Sequence, residues 1–172
     1  MTLPFIVDSH CHLDFPDFDG ERDALIARAA DKGVRLMVTI STKVERLPVL
    51  LEIAEAYPNV YATVGTHPNS AAEEPDVPTE RLVALSAHRK IVGIGEAGLD
   101  YHYDKAGPAV QEAVFRRHID AARETRLPLV IHARDADADM ERILAEEMAR
   151  GAFPFLLHLS LIHISEPTRL LS

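Results

Sequence analysis

Residues 6–14 read Ile-Val-Asp-Ser-His-Cys-His-Leu-Asp, an apolar run that rises into two histidines one residue apart, with a carboxylate on either side. If Phe5 to Ser9 is a strand, His10 and His12 leave the same face of the chain. Two imidazoles at a strand end can grip one divalent cation. A lone His-x-His also arises by chance on surfaces and in cores, so the reading turns on whether further ligands recur at equivalent places. Glu96, His132 and His158 do so: each sits at or just beyond the end of an expected strand. Nitrogen and carboxylate donors suit zinc, manganese, nickel or iron better than calcium. Four histidines and a glutamate exceed the ligand set of one catalytic zinc. A two-metal site is therefore expected, with His10, His12, Glu96, His132 and His158 as ligands and Glu96 as the bridge. Such a pair acidifies water and stabilises the oxygens of a displacement at phosphorus or carbon.

Three more residues could serve that chemistry. His67, in Gly-Thr-His-Pro, is a candidate for substrate contact or proton transfer, and equally for ordering a turn. Arg134 points to the same side as His132 and could hold a phosphate bidentately, or could pair with Asp135 or Asp137. Asp100 could hold a histidine in one tautomer, or cap a loop.

The elements that must position these groups alternate. Helical patterns over Glu21–Lys32, Val44–Ala56, Thr79–His88, Pro108–Thr125 and Asp137–Ala149 separate apolar strands at Val34–Ile40, Val60–Val64, Ile91–Ile94, Leu127–Ile131 and Phe153–Leu157. Ser41 or Thr42 is the expected cap of the second helix. Strand-then-helix repetition implies an α/β fold with a parallel sheet buried on both faces. The options are an open doubly wound sheet or a (β/α)8 TIM barrel. No glycine-rich phosphate loop follows the first strand, which weakens the open sheet. Polar residues after strands one, three, four, five and six suit a barrel, whose active site collects strand C-termini at one mouth.

Composition narrows the class. With 47% hydrophobic and 26% charged residues the 172-residue chain is of globular type, and one domain is the default. Its net charge of −9 makes it a poor non-specific nucleic-acid binder, although bound metals would supply local positive charge. Cys11 is the one cysteine, and neither a signal peptide nor a membrane span is evident, so a cytoplasmic location is expected.

Together Asp8-Ser-His-Cys-His-Leu-Asp14, Gly65-Thr-His-Pro68, Gly95-Glu-Ala-Gly-Leu-Asp-Tyr101 and Leu129-Val-Ile-His-Ala-Arg-Asp135 resemble the TatD family of metal-dependent hydrolases, among the amidohydrolase-like barrels. The resemblance implies the five metal ligands named above and a divalent cation such as Mg, Mn or Zn. It also implies deoxyribonuclease activity, often 3′-to-5′ on single-stranded DNA or 3′ ends. An amide or ester hydrolase is the alternative. Two departures stand out. Leu159-Ser160 replaces the family's usual residues after His158, and a late aspartate that completes the family's metal site has no counterpart. A (β/α)8 barrel takes about 250 residues, so about six βα units are expected here. Residues 160–172 resemble translated sequencing-adapter read-through. The expected division is therefore a partial barrel over 1–158 and a non-native tail over 159–172, and an inactive fragment is a further alternative.

Overall fold

The computed structural model describes residues 5–103 and 105–158; the expected tail lies outside the described residues. Six strands, β1 (Ile6–Cys11), β2 (Val34–Thr39), β3 (Val60–Val64), β4 (Ile91–Asp100), β5 (Leu129–Arg134) and β6 (Phe155–His158), form one sheet in sequential order. Every neighbouring pair is parallel. A doubly wound sheet reverses its order at a switch point, whereas sequential order curls towards a barrel. The curl is pronounced: His10 on β1 and His158 on β6, at opposite edges of the sheet, stack with ring centroids 3.4 Å apart. The result, among the described residues, is a half-barrel of six parallel strands joined by five helices, in line with the roughly six βα units expected from the chain.

The connecting helices are α1 (Arg22–Asp31), α2 (Leu47–Ala56), α3 (Thr79–Ser86), α4 (Pro108–Thr125) and α5 (Asp137–Arg150). They bury apolar stripes against the sheet: Leu47, Leu50, Ile53 and Ala54 from α2, and Val114, Phe115 and Ile119 from α4. Phe115, Ile119, Leu129, Ile131, Leu99 and Ile94 are fully buried and form the centre of the core. One expectation is corrected. Helix α2 starts at Leu47, where Pro48 suits the first turn, and Val44–Arg46 is a separate 3-10 turn. Neither Ser41 nor Thr42 caps it. The Ser41 hydroxyl donates to the Gly65 carbonyl instead, and the backbone N–H groups of Val44 and Glu45 donate to Glu74, 30 and 29 residues away in sequence.

Strand ends also differ from expectation. β4 continues through Glu96 to Asp100, and β5 through His132 to Arg134, because the two strands pair along that whole length.

Candidate metal centre

Two irregularities in the sheet aim the central side chains. Between Gly95 and Ala97, β4 has one more residue than β5 opposite it, and the extra residue is Glu96. Between Asp8 and Cys11, β1 takes three steps where β2 takes two, and His10 lies in that stretch. Such bulges re-aim a side chain and recur beside active sites. Close backbone packing demands glycine here: a Cβ on Gly65 would collide with the Gly95 backbone, and one on Gly98 would collide with the His132 carbonyl.

A cavity of about 310 Å³ opens at this end of the sheet, lined by His12, Phe15, Thr42, His67, Asn69, Glu96, His132 and His158. Glu96 is at its centre, 2% exposed. Its Oε2 lies 3.4 Å from His10 Nε2, and its Oε1 lies 2.9 Å from His132 Nδ1. The two oxygens thus address two different imidazoles. Two triads have donor atoms within 4.8 Å of one another: His10, His12 and Glu96, and His67, Glu96 and His132. Glu96 belongs to both.

The fit of a divalent ion is testable from hydrogen bonding. Among the described residues, Nδ1 of His10 and Nδ1 of His12 are buried without a hydrogen-bond partner, and His10 Nε2 has only its 3.4 Å approach to Glu96 Oε2, a costly state unless something else satisfies them. His132 lies between two carboxylates, Nε2 3.2 Å from Asp100 Oδ2 and Nδ1 2.9 Å from Glu96 Oε1; a neutral ring donates to only one of them, and with the proton on Nε2 it is Nδ1 that presents a lone pair to Glu96 Oε1. Two lone pairs at 2.9 Å repel unless a cation, proton or metal, lies between them. Orphaned imidazole nitrogens beside a carboxylate are the donor set that divalent transition metals take, so the residues fit.

Electrostatics points the same way. Burial opposes ionisation of Glu96, but the imidazoles of His10 and His132 outweigh it and hold its carboxyl well below the usual range. Burial lowers the pKa of His12, with His10 adding to the effect, and lowers that of His158 likewise. Burial also brings His67 down to about 4. Neutral His12, His67 and His158 beside an ionised Glu96 are in the protonation state that metal binding requires.

His67 is distinguished by its partner. Its Nδ1 accepts the Asn69 backbone N–H at 3.0 Å, so in the neutral ring the proton sits on Nε2, which points to His132 Nδ1 at 3.3 Å. Metal ligation through Nε2 would need that proton to move to a nitrogen already facing an N–H donor. His67 is therefore better suited to donating a hydrogen bond than to holding a metal.

The family model described as TatD related DNase matches residues 7–170. The chain belongs to this family. It is similar to the uncharacterized metal-dependent hydrolase YabD of Bacillus subtilis, 38% identical over 146 residues that make up 85% of this chain and 57% of that protein. It is also similar to the 3′-5′ ssDNA/RNA exonuclease TatD of Cronobacter sakazakii, 38% identical over 121 residues, 70% of this chain and 46% of that one. Among solved structures, the TatD homologue YjjV from Escherichia coli K12 superposes with a TM-score of 0.76 at 32% identity, over 83% of this chain and 56% of that one. The chain thus spans about half the length of the TatD relatives it matches.

The half-barrel gathers seven of the eight candidate site residues around or directly behind one cavity: His10, His12, His67, Glu96, His132, Asp100 and His158. His158 lines the cavity with its ring against His10 rather than in a triad. Arg134 does not line it; its guanidinium lies over the Tyr103 ring, 5.0 Å from the centroid, and among the described residues neither Asp135 nor Asp137 pairs with it. Several contributors lie beyond the sequence motifs. Gln111 on α4 clamps Asp100, accepting its N–H at 2.7 Å and donating to its carbonyl at 3.1 Å. His118, fully buried on α4, accepts the Thr66 N–H at 3.0 Å, and Glu74 accepts the Thr66 hydroxyl at 2.6 Å. Both therefore fix the residue before His67. A helical core position and an acidic loop carry no chemical signal in sequence.

Proposed function

We propose that this chain carries the metal-binding half of a phosphodiesterase that hydrolyses nucleic acid from an end, with single-stranded DNA as its substrate. The observation that carries the reading is Glu96, whose two oxygens face different imidazoles while the buried Nδ1 atoms of His10 and His12 have no hydrogen-bond partner among the described residues. That the Cronobacter relative is named a 3′-5′ ssDNA/RNA exonuclease supports the choice of bond and substrate.

In this reading His10, His12, Glu96, His132 and His158 would hold the divalent ions, Mg, Mn or Zn, with Glu96 the residue common to both histidine groups. Bound there, the ions supply Lewis-acid chemistry, stabilising charge on the phosphoryl oxygens and easing deprotonation of water. The chain's own residues do the rest. Asp100 orients His132 by accepting its Nε2–H, which leaves the Nδ1 lone pair facing Glu96. His67 keeps a proton on Nε2 and offers it as a hydrogen bond to an oxygen of the reacting group. Asn69 holds that ring through its backbone N–H and reaches Asp100 Oδ2 with its side chain at 3.3 Å. Arg134 serves as a more distant phosphate contact. Residues 1–158 act as one partial-barrel domain, followed by a non-native tail over 159–172.

No helix among the described residues is long and apolar enough to cross a membrane. The cytoplasmic site of action is part of this proposal and rests on the single cysteine, Cys11, whose thiol is free.

The test is hydrolysis of a 5′-labelled single-stranded oligonucleotide, in parallel with a panel of amides, lactones and esters, by the wild type and Glu96→Gln. Stepwise shortening from the 3′ end that E96Q lowers at least about 100-fold supports the reading. Turnover of the ester or amide panel alone assigns the alternative, amidohydrolase-like chemistry, and contradicts it.

A further inference from the structure

A second cavity of about 340 Å³ adjoins the metal centre, sharing Phe15 and Thr42 with it as a common wall. Asp14, Pro16, Lys43 and Arg46 complete its lining. Three features set its chemistry. Phe15 is 40% exposed, with one face stacked on His12 at 4.7 Å between centroids. The Asp14 side chain is only 3% exposed, yet its Oδ1 is buried with no hydrogen-bond partner among the described residues. Finally, the cations here are offset: Lys43 Nζ is 2.5 Å from Glu73 Oε2 and 3.7 Å from Glu45 Oε1, while Arg46 Nε is 3.7 Å from Asp14 Oδ2.

Balanced charge disfavours a second phosphate in this cavity. An exposed aromatic wall beside a buried, unsatisfied acceptor favours instead a flat, neutral group that carries N–H donors. We propose that this cavity is a nucleobase subsite, in which the base next to the scissile phosphate stacks on Phe15 and donates a hydrogen bond to Asp14 Oδ1. The proposal rests on the nuclease reading above and deepens it: the chain would recognise the base as well as the phosphate, and would favour unpaired ends, where a base is free to leave its stack.

The test uses the 172-residue chain with Mg²⁺ and compares equilibrium binding of 2′-deoxyadenosine 5′-monophosphate with that of 2-deoxyribose 5-phosphate, which lacks the base. The nucleotide is expected to bind about tenfold more tightly, the scale of one base–aromatic stack. Phe15→Leu is expected to reduce that preference to below about threefold, whereas Phe15→Trp retains it. Asp14→Asn should narrow it as well, and because Asp14 is buried, the exposed Phe15 variants keep the test decisive if D14N does not fold. Equal affinities in the wild type, or a full preference in F15L, would overturn the subsite. Oligonucleotide hydrolysis by the same preparations separates the two claims. Hydrolysis without base preference overturns the subsite alone, and base preference without hydrolysis overturns the nuclease reading.

Discussion

At the scale of single residues, the site depends on groups that hold its histidines in one protonation state. Asp100 is 1% exposed and is pinned on its backbone by Gln111 and on its carboxylate by Tyr103 N–H, His132 and Asn69. Replacing it with Asn removes the acceptor that fixes the His132 tautomer, so Asp100→Asn is expected to weaken metal affinity about 10–100-fold while leaving the fold intact; calorimetric titration with Mn²⁺ reads this directly. His118 makes a different prediction. Burial lowers its pKa to about 4, and its two nitrogens are committed to Val114 carbonyl and Thr66 N–H. The sign follows from proton counting. Above the unfolded value of about 6.5 neither state binds the proton, and as pH falls from there towards 4 only the unfolded state gains it, so stability drops across that window. The full loss is about 3 kcal/mol. Urea midpoints of wild type and His118→Gln between pH 7.5 and 4.5 check it, the variant being expected to show the shallower decline.

At the scale of elements, what positions the chemistry is irregularity. The alternation of strands and helices, the parallel sheet and the shared side of His10 and His12 are all legible in sequence, because hydrophobic period and Pro and Gly punctuation are local signals. The position of Glu96 is not. Polar residues after Ile94 read as a loop, whereas pairing with β5 carries the strand on to Asp100 and leaves Glu96 as the extra residue of a bulge. Helix capping shows the same limit: Glu74 reads as one carboxylate of an acidic loop, yet it caps the turn before α2 and holds Thr66, contacts that only the tertiary fold creates. The close approach of β4 to β5 predicts a large penalty for a small change. Gly98 has φ +149 and no room for a Cβ against His132, so Gly98→Ala is expected to cost at least about 1–3 kcal/mol and to weaken metal binding by shifting His132. Thermal unfolding and Mn²⁺ titration of the variant check both.

At the scale of the whole molecule, the curled sheet leaves apolar edge strands exposed. Ile6 and Val7 on β1 are 40% and 47% exposed, and Phe155, Leu156 and Leu157 on β6 are 39%, 38% and 45% exposed. Parallel edges of this kind template further pairing. The 172-residue chain studied alone is therefore expected to associate with itself as concentration rises, which sedimentation or light scattering from micromolar upward would detect; a strict monomer throughout would contradict it. The proposed metal centre joins residues from both edges and the middle of the sheet, since His10, Glu96, His132 and His158 come from β1, β4, β5 and β6. Its integrity and that of the half-barrel are thus one property, and a bound ion must stabilise the fold by mass action, by about 2.7 kcal/mol at a free concentration 100 times its Kd. The most direct measurement is metal content per chain after equilibration with Mn²⁺ and removal of the free ion, for wild type and Glu96→Ala side by side. Retention of at least one ion per wild-type chain and its loss from E96A is the predicted result. A wild type that retains none, or an E96A variant that retains as much, would contradict a metal centre built on Glu96.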